Sequence, residues 1–498
     1  MNSLSNAEVL RGWKLFFLHG EEKEALTLAG LTRIPSGSKL PDDWQGHIIL
    51  HWGTAHDACV HKPAIQPLLA IRRAQDRLQR EELLHLHGVK SAASHAAHKD
   101  QWIFTHTYKV AIFHLQTLLV FEKKETLLLA DKAMYNQRKR NTTSAYTEVE
   151  PDRTGFHVRR ATREALKAVY ALGLDYGLVT IGILRSGHTL VLDVDPVPQL
   201  SGKLAAAFAQ AMDRYELGIA KELRRKERAM LGSDPEFLLL SAQGKVVSAD
   251  RFLQREGTVG CDAIVLSGQR LILPLAELRP QPSTDPQELT RNLYSTMKLA
   301  ARAIPDESLA WLSGGMPVGG FPLGGHIHFS RCWPNVHLLR ALDNYLALPL
   351  ILIEGVTTRE RRPRYGFLGD FRRQKLHGGF EYRTLPSWMH SPDITHGVFA
   401  LASLIADNYW LLPEQPLQKL DIQAAYYHGD KFYLQGTVAK LWNNLEKLKG
   451  YALFAKVLNR FRTRIESMEP WNERADIRKA WKIAPYHRKE AIEEQIML

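Results

Sequence analysis

Four short blocks of this chain set a carboxylate or an imidazole inside a strand-like apolar run, where an unpaired charge is expensive to bury. They are GSDPEFLLL (Gly232 to Leu240), LILPLAELRP (Leu271 to Pro280), GGHIHFS (Gly324 to Ser330) and GGFEYRTLPSW (Gly378 to Trp388). Each reads as a strand or strand end whose polar group must meet partners drawn from elsewhere in the chain. Strand side chains alternate with period 2, so Asp234 with Glu236, and His326 with His328, are each expected on one sheet face. Taken singly, the acidic groups have ordinary explanations: Glu236 as an ion-paired strand residue, Glu277 as a partner of Arg279, Glu381 as a partner of Arg383. Their recurrence within one domain points to a joint metal site. Oxygen ligands with some imidazole suit Mg²⁺ or Mn²⁺ bridging phosphates.

The chain has 498 residues, 45% hydrophobic and 24% charged, enough for two to four globular domains. Its longest strongly apolar stretch, Leu346 to Val356, contains Pro349 and Glu354 and falls far short of the roughly 20 residues that cross a bilayer. The N-terminal residues lack the pattern of a signal peptide. Cys59, Cys261 and Cys332 are far apart and odd in number, which gives no disulfide framework and no CxxC zinc pattern. A cytoplasmic protein without a membrane partner is the expectation. The net charge of +12 fits a nucleotide, an acidic substrate or a nucleic acid without choosing among them.

From Asn2 to about Pro198, strand-like runs (HIILHW, YKVAIF, TLLVFEKK, GLVTIGIL, TLVLDVD) alternate with helical ones such as IRRAQDRLQREELLHL and VRRATREALKAVYAL. Gly202 to Met230 has helix composition and is a candidate connecting helix, with the domain boundary there. The acidic and His blocks follow, separated by long connections, as in an antiparallel sheet backed by helices. The tail is helical: Val438, Leu441, Leu445 and Leu448 keep helical spacing and Trp442 joins their side.

The glycines of GGMPVGGFPLGGHIH (Gly314 to His328) suggest a loop whose backbone N–H groups approach phosphates, or equally a lid or plain turn. It is not a P-loop, since the GK[ST] ending is missing. The run RERRPRYGFLGDFRRQK (Arg359 to Lys375) is dense in arginine, whose forks match phosphate oxygens. It carries no recognisable nucleic-acid module, so no nucleic-acid partner is expected. His85/His87 and His95/His98 have metal-compatible spacing but no carboxylate or Cys cluster, which favours a surface role. There is no GxSxG or other clear nucleophile motif.

DPEF, ELRP, GGHIHFS, RYGFLGDFR and FEYRTLPSW, in this order between about Leu231 and Asn408, resemble the phage-type carboxylate-amine ligases (amidoligase type 2) of the glutamine synthetase and glutamate-cysteine ligase fold group. The resemblance implies ATP and Mg²⁺ (or Mn²⁺), with Asp234, Glu236, Glu277, His326 and Glu381 as metal ligands. It also implies catalytic roles for Arg383, Arg372 and Glu381, and nucleotide contacts from His328, Arg364, Arg373 and Arg383. The N-terminal half is similar, more weakly, to ATP-grasp domains of spore-associated bacterial proteins. The carriers are Ile71 to Ser91, Thr107 to Lys124 and Ala171 to Leu200. Asp193, Asp195, Thr180 and Lys109 stand where that family has Glu, Asn, Asp and Arg, and the lysine-bearing, glycine-rich subdomain has no room. The resemblance implies a degenerate unit that keeps substrate or partner binding.

The expected architecture is therefore α+β. A shortened ATP-grasp-like α/β domain covers 1–205 and a linker helix 206–230. A glutamine-synthetase-like antiparallel sheet with helices covers 231–425, and a helical extension 426–498. The expected reaction is ATP-dependent amide or peptide bond formation between small-molecule or peptide substrates, through an acyl phosphate. The alternatives are phosphoryl transfer of the guanidino-kinase kind on the same fold, ATP turnover by the N-terminal domain alone, and a nucleotide- or peptide-binding module without turnover.

Overall fold

The structure, a computed structural model, describes residues 14–484 apart from 21–25, 27–29, 32–33, 43–46, 54–63, 94–102, 125–145, 151–154, 266–270 and 375–377. Cys59, His95 and His98 lie outside the described residues. The chain divides into two compact units, Met1–Arg225 and Lys226–Leu498.

The first unit holds two sheets. Strands β1 (Lys14–Leu18), β2 (Ser36–Gly37), β3 (His47–His51) and β4 (Ala64–Ile65) form a parallel sheet in the order β2-β1-β3-β4. Strands β5 (Phe104–Phe113), β6 (Gln116–Lys124), β7 (Thr147–Val149), β8 (Tyr176–Leu184) and β9 (Thr189–Asp195) form an antiparallel one, β7-β6-β5-β8-β9. Trp52 stacks on Tyr176 at 4.2 Å and meets Phe208 edge-on at 5.3 Å. Phe208, from the helix Gly202–Leu223, is one of the side chains that bury that helix in the core of this unit. The helix stops at Leu223, and Met230 already starts a strand. Gln66, fully buried with φ 65°, accepts from the backbone N–H groups of Asp175 and Tyr176 and donates to the carbonyls of Tyr176 and Pro196. Such a fully satisfied polar group inside a core fixes the relative placement of the strands around it.

Where the sequence pattern suggests one helix through IRRAQDRLQREELLHL, there are two, Leu68–Gln75 and Arg77–Leu86. Asp76 causes the break: its side chain caps the second helix by accepting from the N–H groups of Leu78 and Gln79. The surface role expected of His87 is also corrected, for it is only 2% exposed at the end of that helix.

The second unit is built on two antiparallel sheets. One joins β10 (Met230–Ser233), β16 (Ile327–Ser330), β18 (Gly379–Tyr382) and β17 (Phe371–Gln374) in the order β10-β16-β18-β17. The other runs β12-β11-β14-β13, from β11 (Glu236–Leu240), β12 (Val246–Val247), β13 (Val259–Val265) and β14 (Leu271–Leu278), with β15 (Ala310–Leu312) also paired to β11. Helix Pro392–Asn408, apolar nearly all round, packs against Pro286–Ala303 and Tyr451–Glu466. Helix starts follow capping chemistry: Asp285 accepts from the N–H of Gln287 ahead of Pro286, and Ser391 from that of Ile394 ahead of Pro392. In the tail, Val438, Leu441, Trp442 and Leu445 are buried on helix Lys431–Glu446, as their spacing predicts. Among the described residues no helix is long and apolar enough to cross a membrane.

Candidate active site

GSDPEFLLL is not one strand. It breaks at Asp234 and Pro235, so that β10 ends in one sheet and β11 begins in the other. Asp234 and Glu236 therefore do not share a strand face, as alternation alone predicts. The crossing is held by backbone bonds from the N–H of Asp234 to His326 O at 3.3 Å and from that of Glu236 to Gly324 O at 2.9 Å. Each sheet then presents a row of polar groups at this junction, because directly opposed residues of antiparallel strands share a face. In the first sheet Gly232, His328, Glu381 and Arg372 lie side by side. In the second, Glu236 and Gly260 both oppose Glu277.

Glu381, with no exposed surface, is the centre of the first row. Its Oε2 accepts from Arg372 Nε at 2.7 Å and Gln374 Nε2 at 3.0 Å, while Arg383 Nε lies 3.2 Å and His326 Nδ1 3.4 Å from Oε1. Asp234 faces both imidazoles, His328 Nε2 at 2.9 Å and His326 Nδ1 at 3.4 Å. Burial disfavours its charge, but those two histidines outweigh burial and hold it well below the usual carboxylate range. The same contact raises His326 against the opposing effect of burial.

The second row behaves in the opposite way. Burial, only partly offset by His326, pushes Glu236 up to about 7, although its Oε2 accepts from the N–H of Gly324 at 2.6 Å. Glu277 does form the ion pair with Arg279, yet burial and the nearby Asp234 outweigh the arginine and push Glu277 up to about 9. Asp262 joins this row from β13, where a bulge between Asp262 and Ile264 shifts the register.

Two cavities flank the carboxylates. One, of about 420 Å³, is lined by Asp234, Glu277, Arg279, His328, Arg372 and Gln374, among others. A smaller one, of about 190 Å³, is lined by Glu236, His326, Arg361, Asp370, Arg383 and Leu323, among others. Asp262 lines both. Among the described residues, Asp234, His328 and Glu381 form the one acidic and imidazole group whose ligand atoms all lie within 4.8 Å of one another. Buried Asp234 Oδ1, His328 Nε2 and Glu381 Oε1 make no well-directed hydrogen bond. Two carboxylates and one imidazole whose ligand atoms converge so closely fit a hard divalent cation.

The predicted residues are thus largely gathered: Asp234, Glu236, Glu277, His326, His328, Glu381, Arg372 and Arg383 all line one or the other cavity or touch its carboxylates. Arg373 is not among them, because it is adjacent to Arg372 on β17 and points to the other face. Arg364 is exposed, with its guanidinium 5.5 Å from the ring of Tyr365. Sequence reasoning missed Asp262, Arg361, Asp370 and Gln374. Asp262 carries the same signal as the others, a carboxylate in an apolar strand. Arg361 is 2% exposed and donates to the carbonyls of Thr384 and Arg383; burial lowers it to about 10.

Six amides of the glycine-rich loop are bonded within the protein. The N–H groups of Gly315, Met316, Phe321, Leu323, Gly324 and Gly325 donate to Glu473, Thr357, Val318, Gly315, Glu236 and Leu385 in turn. Those amides are spent inside the protein, which corrects the phosphate-binding expectation for them.

Residues 231–483, about half of the chain, match the model of the family described as phage phiEco32-like COOH.NH2 ligase-type 2. The match runs through the C-terminal helices, beyond the Leu231–Asn408 span legible from motifs. No curated protein matches the chain. Among solved structures, a bifunctional glutathione synthetase from Pasteurella multocida is 10% identical with a TM-score of 0.32, covering 52% of this chain and 49% of that one. D-alanine–D-alanine ligase from Bacillus anthracis is 10% identical with a TM-score of 0.27, covering 42% and 95%. A RiPP-associated ATP-grasp ligase from Chryseobacterium gregarium, in complex with ADP and a leader and core peptide, is 7% identical with a TM-score of 0.27, covering 41% and 97%. Likenesses so distant say nothing about which residues act.

Proposed function

Because the chain belongs to the phage phiEco32-like COOH.NH2 ligase-type 2 family, we propose that it joins a carboxylate to an amine at the expense of ATP, through an acyl phosphate, at the carboxylate and imidazole cluster between the two cavities. The observation that carries this reading is the gathering of the buried carboxyl groups of Asp234, Glu236, Glu277 and Glu381 with two imidazoles at one junction, two of them with strongly raised pKa values. Asp234, His328 and Glu381 would hold a divalent cation such as Mg²⁺, with Glu236 and Glu277 completing the acidic set. Such an ion neutralises phosphate charge and orients the γ-phosphate. His326 orients Asp234 and Glu381 between which it sits.

Arg372, more than half exposed and anchored on Glu381, and Arg279 line the larger cavity and would receive the phosphate end of ATP. Arg383 and Arg361 line the smaller one and would bind the substrate carboxylate. That carboxylate oxygen attacks the γ-phosphorus and ADP leaves. The amine nitrogen then attacks the acyl carbon, phosphate leaves, and the amine gives up a proton. Asp262 lines both cavities, where it would hold the incoming ammonium and take its proton, so that the neutral amine attacks.

For Met1–Arg225 the reading is a shortened ATP-grasp-like unit without ATP turnover of its own. Lys109, Thr180 and Asp193 stand in one cross-strand row, but the Asp193 side chain is 62% exposed and Asp195 caps its own turn through the N–H of Val197.

The test supplies Mg²⁺-ATP with pooled amino acids and short peptides and follows ADP, inorganic phosphate and product mass. Ligation predicts one ADP and one phosphate per product, whose mass is the sum of two substrates less one water. ADP with a phosphorylated product and no free phosphate would instead establish a phosphotransferase.

A further inference from the structure

Glu473 stands outside every motif of the site, on the C-terminal segment, and is buried at 7% exposure. A carboxylate in such a place needs strong donors. It finds them on two segments far apart in sequence. Oε1 accepts from the N–H of Gly315 at 2.5 Å, and Oε2 accepts from Thr357 Oγ1 at 2.5 Å and from the N–H of Thr357 at 3.4 Å. Thr357 Oγ1 in turn accepts from the N–H of Met316 at 2.9 Å. The surrounding backbone is shaped to admit the carboxylate: a Cβ on Gly355 would overlap it, and Gly314, at φ 123°, would overlap it as well. The segment itself is docked by the N–H of Trp471 on Ile353 O at 3.0 Å and by Trp481 Nε1 on Met389 O at 2.8 Å.

Both fastened segments continue directly into the smaller cavity. Gly315 O accepts from the N–H of Leu323 at 2.8 Å, and the next residue, Gly324, donates to Glu236. One helical turn beyond Thr357, the N–H of Arg361 donates to Thr357 O at 3.3 Å. Leu323, Gly324 and Glu236 thus line one side of the cavity, and Arg361, Tyr365 and Gly366 another. We propose that Glu473 is the positioning residue of this site: it fastens the glycine-rich segment 314–325 to the segment 355–366 and so sets the two walls of the smaller cavity, and the orientation of Glu236, from the C-terminal segment. The functional part of the inference rests on the ligase reading; the fastening itself does not.

The test uses the full chain with Mn²⁺ alone as the probe, alongside backbone hydrogen exchange. Glu473→Ala is expected to weaken Mn²⁺ binding by up to about tenfold, the lower end of what loss of a direct partner of a metal ligand costs, because its effect reaches the acidic set only through segment 315–324 and Glu236. It should also speed exchange together at Gly315, Leu323, Gly324 and Arg361, and leave helix Pro286–Ala303 unchanged. Glu473→Gln, which keeps the shape and one acceptor, should fall between. Gly355→Ala displaces the carboxylate and should mimic Glu473→Ala, yet add nothing to it in the double variant, since the space is then vacant. A lower Tm with unchanged Mn²⁺ affinity, or faster exchange in one segment only, would overturn the proposal. Wild-type protein that binds no Mn²⁺ would refute the metal reading, while the exchange pattern would still decide whether Glu473 fastens both walls.

Discussion

Glu381→Gln is expected to abolish divalent-metal binding and ATP-dependent product formation while leaving the chain folded. The carboxylate is wholly buried and meets Arg372, Gln374, Arg383 and His326, so its charge organises the whole first row. Glutamine keeps the volume but supplies no negative oxygen to a cation or to two guanidinium groups. Loss of a partner behind a metal ligand alone costs about 10–100-fold and loss of one transition-state contact about 100–1,000-fold, and removing the ligand charge itself while freeing two guanidinium groups combines both kinds of loss. Folding survives because Arg372 and Arg383 are 56% and 34% exposed and can turn to water. Calorimetric titration with Mn²⁺ and product assay check it; wild-type metal affinity in this variant would remove Glu381 from the ligand set.

Stability without metal should fall as pH rises from about 5 to 9, and added Mg²⁺ or Mn²⁺ should reverse the trend. The sign follows from linkage. Glu236, raised from 4.5 to about 7, and Glu277, raised from 4.5 to about 9, keep protons in the folded state that the unfolded chain has released. Between those values the native state binds more protons, so unfolding is favoured by raising pH. His326, raised by Asp234, adds in the same sense, losing its stabilising contact as pH climbs through its folded value. Asp234, held below its ordinary range, contributes stability that is lost only in strong acid. A bound cation replaces the protons, so its affinity rises through this window. We expect the metal-free Tm to drop by at least about 5 °C across it, with a metal-induced shift that grows with pH. A metal-induced shift independent of pH would contradict raised carboxylates at the site.

Much of this site is legible in the sequence because carboxylates, each costly to bury, recur in the apolar strands of one domain, and period-2 spacing places His326 and His328 together. Strand order was not legible. That Gly232, His328, Glu381 and Arg372 form one row depends on pairing between segments far apart. Pro235 reads as part of a continuous run, yet the chain there leaves one sheet for another, a choice made by bonds to residues 324–326. The arginine run could not be sorted by composition: on β17, Arg372 faces the cluster and its neighbour Arg373 does not, while Arg361 enters the smaller cavity from a different element. Glu473 lies 158 residues from Gly315, and nothing near it in sequence announces the contact. Asp262 was legible by the same reasoning as Glu236, but a single aspartate is ordinary until its bulge sets it between two cavities.

The central claim, that ATP is used at the cluster of the second unit, is tested most directly by the thermal shift that Mg²⁺-ATP produces, since a ligand confined to the folded state raises its midpoint. Three proteins suffice: wild type, Glu236→Gln/Glu381→Gln and Asp193→Asn/Asp195→Asn. The account predicts a shift in the wild type that persists in the aspartate variant and vanishes in the glutamate variant; a shift that persists in the glutamate variant and vanishes in the aspartate variant would contradict it.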